Sequence, residues 1–128
     1  MEKKLTPEQI EAMAIEVREL LLSKEIWIDT TIYFNGKAFS TSDGTYFAYN
    51  DRNHLIVLED KDPKKITEYA GDILTMTFEG PLYDCINGTG EYGYDYESGV
   101  ESALSKIFAK YGCYYELGNA WNLTLARM

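Results

Sequence analysis

Ile10, Met13, Ala14, Val17, Leu20 and Leu21 recur at helical spacing, while Glu8, Glu11, Arg18 and Glu19 lie mostly off that stripe. The spacing predicts a helix over residues 7 to 23. Thr6 is placed to cap it, Pro7 fills its first position and Gln9 completes a capping box, with Leu5 and Ile10 able to close a hydrophobic staple. From Ile26 the period changes to two. Ile26, Ile28, Thr30, Ile32 and Phe34 fall on one side, and Trp27, Asp29, Thr31 and Tyr33 on the other, as in a strand.

Asn35-Gly36 is a strong hairpin signal because both turn positions must accept positive φ, and Asp43-Gly44 offers a second turn of this kind. A meander is therefore expected, with a third strand over Thr45 to Tyr49 and a fourth over His54 to Glu59. The run His54-Leu55-Ile56-Val57-Leu58 is apolar on both faces, which predicts a central strand. Asp62-Pro63 reads as the start of a short helix carrying Ile66 and Tyr69 and stopped at Gly71.

Ile73 to Glu79 alternates again, with Leu74, Met76 and Phe78 pointing one way. Beyond Gly80-Pro81 the pattern becomes irregular, apart from a helical turn near Leu82 to Ile86. Ser98-Gly99-Val100-Glu101 reads as a second capping box, followed by the apolar face Val100, Ala103, Leu104, Ile107, Phe108 and Tyr111 and by Gly112 as a stop. Tyr114 to Leu117 and Ala120 to Ala126 then suggest two strands joined at Gly118-Asn119.

The expected order is αββββαβαββ. It describes an α+β fold in which an antiparallel sheet, a meander plus a C-terminal hairpin, packs against two amphipathic helices. No repeat or low-complexity tract divides residues 1 to 128, so one domain is expected. The predicted core includes Val17, Leu21, Ile28, Ile56, Val57, Leu74, Met76, Leu104, Ile107, Phe108 and Leu123. Trp27 and Trp121 are expected to pack, and Tyr111, Tyr114 and Tyr115 to sit in or beside the core.

Composition supports a core without staples: 45% of the 128 residues are hydrophobic and 14% aromatic. The N-terminal residues lack the apolar stretch of a secretory signal, and the longest aliphatic run, Leu55 to Leu58, is far short of a membrane span. A cytoplasmic location and two buried, reduced cysteines, Cys85 and Cys113, are the corresponding expectations. On that basis the glycosylation sequons at Asn87 and Asn122 are discounted.

Charge changes the picture more. The net charge of −9 is concentrated between Ile66 and Ser105, which holds eight of the 21 acids and none of the 12 Lys and Arg residues. A field of this sign repels nucleic-acid phosphates and anionic lipid heads and attracts basic surfaces.

Chemistry is sparsely represented. His54 is the only histidine, and a Cys85 nucleophile with His54 as base and Asp84 or Asp51 as orienter has the residue types of a cysteine hydrolase but none of its local signatures. Gly88-Thr89-Gly90-Glu91-Tyr92-Gly93 spells a dinucleotide-loop pattern, yet Tyr94-Asp95-Tyr96-Glu97 follows where a helix should begin at once. Asp84, Glu91, Asp95 and Glu97 do not have calcium-loop spacing, and no metal or cofactor is expected.

A binding surface is better represented. In an extended conformation Tyr92, Tyr94 and Tyr96 share one side of the segment and Glu91, Asp95 and Glu97 the other. Tyrosine gives wide amphipathic contact at low entropy cost, and neighbouring carboxylates suit arginine. The partner-binding residues read from sequence are therefore Asp84, Glu91, Tyr92, Tyr94, Asp95, Tyr96 and Glu97.

In size and charge, though in no specific motif, the chain resembles the small acidic inhibitors that bacteria and phages make against basic nucleic-acid enzymes. Toxin-immunity, anti-restriction and anti-CRISPR proteins are of this type. The resemblance implies a non-enzymatic inhibitor occupying the basic, nucleic-acid-binding surface of a protein, with no direct contact to nucleic acid or membrane. The alternatives are a small enzyme or ligand-binding protein using the Gly88 to Gly93 loop, and an assembly protein of a mobile element using a sheet edge or an exposed apolar patch.

Overall fold

The computed structural model describes residues 4–68, 70–87 and 99–128. Helix α1 spans Pro7–Ser23. It begins as its sequence dictates: the Gln9 amide donates to Thr6 Oγ1 at 3.1 Å, and the Thr6 amide donates to Gln9 Oε1 at 2.9 Å. Ile10, Met13, Ala14, Val17 and Leu21 are its buried face.

The strand expected from Ile26 begins only at Thr30, where β1 (Thr30–Phe34) starts. Glu25 and Asp29 both have positive φ, 58° and 50°, so the intervening residues turn instead of extending. Trp27 is fully buried within that turn, whereas Ile28, expected in the core, is only half-buried. β1 pairs with β2 (Lys37–Ser40) across Asn35-Gly36, whose φ values of 49° and 77° are those the tight hairpin requires.

No strand forms over Thr45 to Tyr49. The Asp43 carboxylate captures the Thr45 and Tyr46 amides at 2.9 and 2.8 Å, and Asn50 turns the chain with φ 55°. Groups that a ladder would use are thus taken locally, leaving one isolated bridge between Ser42 and Phe47.

β3 (Ile56–Leu58) lies at the edge of the sheet, not at its centre. The six strands are ordered β3-β2-β1-β4-β6-β5 and all neighbours are antiparallel. After β3 the chain returns to pair β4 (Thr75–Phe78) with the other side of β1, so among the described residues β3 has the single neighbour β2. Ile56 is buried, but Val57, expected in the core, is 38% exposed.

The connection contains one 3₁₀ turn, Pro63–Lys65, where a short helix was expected. Ile66 is exposed, and Tyr69 lies outside the described residues. The Gly71 amide donates to Thr124 Oγ1 at 2.9 Å, and a Cβ at Gly71 would stand 3.1 Å from that oxygen, which ties the connection closely to the sheet.

Helix α2 (Pro81–Asn87) extends the helical turn expected there. Helix α3 (Val100–Lys110) has Gly99 at its N-cap with no side-chain capping bond, and the expected cap Ser98 lies outside the described residues. Leu104 and Phe108 are fully buried, while Ile107 is half-buried against the core.

β5 (Cys113–Asn119) and β6 (Asn122–Arg127) form the C-terminal hairpin. Its turn is Ala120-Trp121, two residues beyond the expected Gly118-Asn119. Asn119 Oδ1 accepts from the Trp121 amide at 3.1 Å and from Asn122 Nδ2, fixing the turn there, while Gly118 becomes a bulge in β5. Tyr111 and Tyr115 are partly buried against the core, but Tyr114 is 46% exposed.

The core gathers the buried face of α1, Leu82 of α2, Leu104 and Phe108 of α3, and the sheet residues Ile32, Phe34, Phe39, Met76, Phe78, Leu123 and Leu125. Strand register places Thr31, Ser40, Thr75, Thr77 and Thr124 on the opposite face, giving the sheet one apolar and one hydroxyl-rich side. Among the described residues this is an α+β fold with a six-stranded antiparallel sheet and three helices.

Candidate protein-binding surface

Of the partner-binding residues read from sequence, only Asp84 is among the described residues. It sits half-buried on α2. Glu91, Tyr92, Tyr94, Asp95, Tyr96 and Glu97, together with the Gly88 to Gly93 loop, lie outside them.

The described chain presents a different aromatic surface, on the loop between β2 and β3. Tyr46, Phe47 and Tyr49 are 44%, 59% and 39% exposed, and Leu55 and Val57 continue the patch onto the free edge of β3. The rings are ordered. Tyr46 stacks on His54 with centroids 4.4 Å apart and planes at 17°, and Phe47 leans on Tyr49 at 5.4 Å.

Polar anchors at both ends hold these rings outward. At the first turn, Asp43 Oδ1 accepts from the Thr45 and Tyr46 amides and the Thr45 hydroxyl, which holds its carboxyl down at about 2, so it is an anion throughout the physiological range. At the far end, Asn50 Oδ1 accepts from the Trp27 amide at 2.9 Å, Asn50 Nδ2 donates to the Glu25 carbonyl at 3.0 Å, and the Asn50 amide donates to the Trp27 carbonyl at 3.0 Å. Behind the loop, buried Arg18 donates from Nη2 to the Asp51 carbonyl at 3.3 Å and lies over the Trp27 ring. Burial, then repulsion from Arg52, lowers the Arg18 pKa, opposed by Asp51.

The charge around the patch is one-sided. The Tyr49 hydroxyl donates to Asp29, a bond that raises the phenol's pKa and fixes the ring beside a carboxylate. Between Ala38 and Asp60 the only Lys or Arg is Arg52, which is paired with Glu19. Aromatic area bordered by Asp29 and Asp43, with Arg18 buried behind the loop and Arg52 paired with Glu19, suits a cationic partner.

The residues considered for catalysis are arranged differently. Cys85 is buried in the core, while His54 is exposed at the β3 edge against Tyr46. Cys85 and Cys113 are both buried and reduced, and burial pushes the Cys113 thiol up. Among the described residues, no group of three His, Cys, Asp or Glu side chains is placed to hold a metal, and no helix is long and apolar enough to cross a membrane. Compared with known proteins, the chain matches no family model, no curated protein and no solved structure.

Sequence reasoning missed the aromatic patch because Tyr46-Phe47-Ala48-Tyr49 alternates like a strand. The contrary signal was the density of turn formers around it: Asp43-Gly44 before, and Asn50-Asp51 with Asn53 after.

Proposed function

We propose that this protein acts by binding a basic protein, and that it inhibits that partner by covering a surface used for nucleic acid. The observation that carries the reading is the ordered, exposed patch of Tyr46, Phe47 and Tyr49, bordered by Asp29 and Asp43. The segment from Ile66 to Ser105, with eight acids and no Lys or Arg, supplies long-range attraction. That attraction reaches about 8 Å at physiological ionic strength, so it speeds encounter but leaves orientation to contact residues.

The direct test compares the parent with a Phe47→Ala variant as bait in pull-downs at low and high salt, with nucleic acid added as competitor. Basic proteins should bind the parent, leave in high salt, be displaced by nucleic acid, and bind the variant weakly. Equal retention by both baits contradicts the reading.

A second reading, assembly through self-association, is favoured by the free edge of β3 with Leu55 and Val57 exposed beside it. Sedimentation equilibrium separates the two. A salt-resistant oligomer dispersed by Val57→Lys supports assembly, and a monomer at all concentrations removes it.

A further inference from the structure

The hydroxyl-rich side of the sheet contains a cleft of about 400 Å³ beside the aromatic loop. Strands β1, β2 and β4 form its floor with Thr31, Ser40 and Thr77, Ile66 and Trp121 border it, and Asp29 and Glu79 are its titratable residues among those described.

The floor is preorganised. Ser40 Oγ donates to the Ser42 carbonyl at 2.7 Å and accepts from the Ser42 amide at 3.1 Å, Thr31 Oγ1 lies 3.4 Å from Ser40 Oγ, and Thr30 Oγ1 donates to the Ile28 carbonyl at 2.9 Å. Several of its hydroxyl protons are thereby committed, which leaves the lining richer in acceptors than in donors.

The two acids meet at one end of the cleft. Asp29 immediately precedes β1 and Glu79 immediately follows β4, and the Glu79 amide donates to the Asp29 carbonyl at 3.1 Å, which brings the two residues together. The adjoining chain comes so close that a Cβ at Gly80 would lie 2.7 Å from the Ile28 carbonyl oxygen. Among the described residues no Lys, Arg or His lines the cleft, so its charge is acidic. The aromatic loop is continuous with this site, because Tyr49 bonds to Asp29 and Phe47 bridges to Ser42.

We propose that this cleft receives the guanidinium of an arginine side chain presented by the basic partner. The ligand must be cationic, rich in donors and able to reach two carboxylates together with a row of hydroxyl oxygens. A guanidinium, planar and carrying five donors in a fixed fork, meets all three demands, whereas an ammonium satisfies charge alone. The volume accommodates one such side chain with its aliphatic stem against Ile66. This inference rests on the proposed basic partner but makes a separate claim about where one of its residues goes.

The test is an amide-resolved NMR titration of the full chain with N-acetyl-arginine amide, compared with the lysine and citrulline analogues. Arginine should give saturable shifts at Thr31, Ser42, Thr77 and the Trp121 indole, lysine should bind several-fold more weakly, and neutral citrulline should not saturate. Glu79→Gln should weaken arginine binding about tenfold without disturbing the rest of the spectrum, and Asp29→Asn should weaken it about tenfold with further shifts confined to the Tyr49 loop, whose ring Asp29 holds. Asn at position 29 still tolerates the left-handed backbone. Shifts spread over acidic residues remote from the cleft, equal affinity for lysine, or indifference to both substitutions overturns the proposal. If arginine fails to bind while the basic partner is still captured through Phe47, the cleft assignment falls alone. If capture is indifferent to Phe47→Ala, the broader reading falls whatever the titration gives.

Discussion

Replacing Asn50 tests how the aromatic loop is held. Asn50 has φ 55°, accepts from the Trp27 amide and donates to the exposed Glu25 carbonyl. In Asn50→Ala the Trp27 amide, beside a fully buried indole, loses its acceptor, at a cost of about 1–3 kcal/mol. The Glu25 carbonyl can turn to water and adds little. A Cβ-bearing residue without a local side-chain bond adds about 1 kcal/mol in the left-handed region, bringing the total to about 2–4 kcal/mol. Asn50→Gly removes the backbone penalty and should be about 1 kcal/mol milder. Asn50→Asp keeps the acceptor for Trp27 and should be the mildest. Equilibrium urea unfolding with an unchanged m-value measures all three. A loss below about half a kcal/mol for Asn50→Ala, or equal losses for Ala and Gly, would show that the loop is not anchored as described.

Leu104→Ala, at a fully buried position, should cost about 2–5 kcal/mol in urea unfolding, and Ile107→Ala, half-buried on the same helix, about half as much; equal losses would mean the α3 face is misjudged. Glu16 accepts from Lys110 and from the Tyr111 hydroxyl, linking α1 to the end of α3. The Lys110 bond, then the Tyr111 bond, lowers the Glu16 pKa below its ordinary 4.5, so this contribution is present above that pH and disappears as pH falls through the lowered value. The same carboxylate pushes the Tyr111 phenol from 10.0 up to about 12, so that contribution is present below pH 10 and is lost as pH rises toward 12. Glu16→Gln should flatten both limbs of the stability–pH curve, and unchanged limbs would refute the linkage. Thiol titration after unfolding should count two reduced sulfurs, with Cys113 unreactive while folded; a single sulfur or none would contradict the buried, reduced assignment.

What was legible in the sequence was what local chemistry alone decides. The Thr6 capping box, the Asn35-Gly36 turn and the apolar faces of α1 and α3 are set within a few residues of themselves, and each forms where its pattern places it. What was not legible depended on distant partners. The run Leu55 to Leu58 looks central by composition, but its place at the edge follows from β4 choosing the far side of β1, which no residue near it records. Residues 26 to 29 alternate as a strand should, yet Asn50, far along the chain, holds them in a turn.

The candidate site divides in the same way. The acidic, tyrosine-rich segment stood out through composition, whereas the cleft between Asp29 and Glu79 exists only because two strands far apart in sequence are paired in one register. Tyr46, Phe47 and Tyr49 were visible as residues but not as a surface, because alternation suggested a strand with one side turned inward.

The most direct measurement of the central claim is quantitative mass spectrometry of proteins captured from the organism's lysate by the parent and by a Tyr46→Ala/Phe47→Ala variant, at low and high salt. Both rings are exposed, so the variant should unfold at the same urea concentration as the parent. The account predicts a small set of basic proteins held by the parent at low salt, released by high salt and depleted from the variant. Retention of the same proteins by the folded variant, or capture dominated by acidic proteins indifferent to salt, would contradict it.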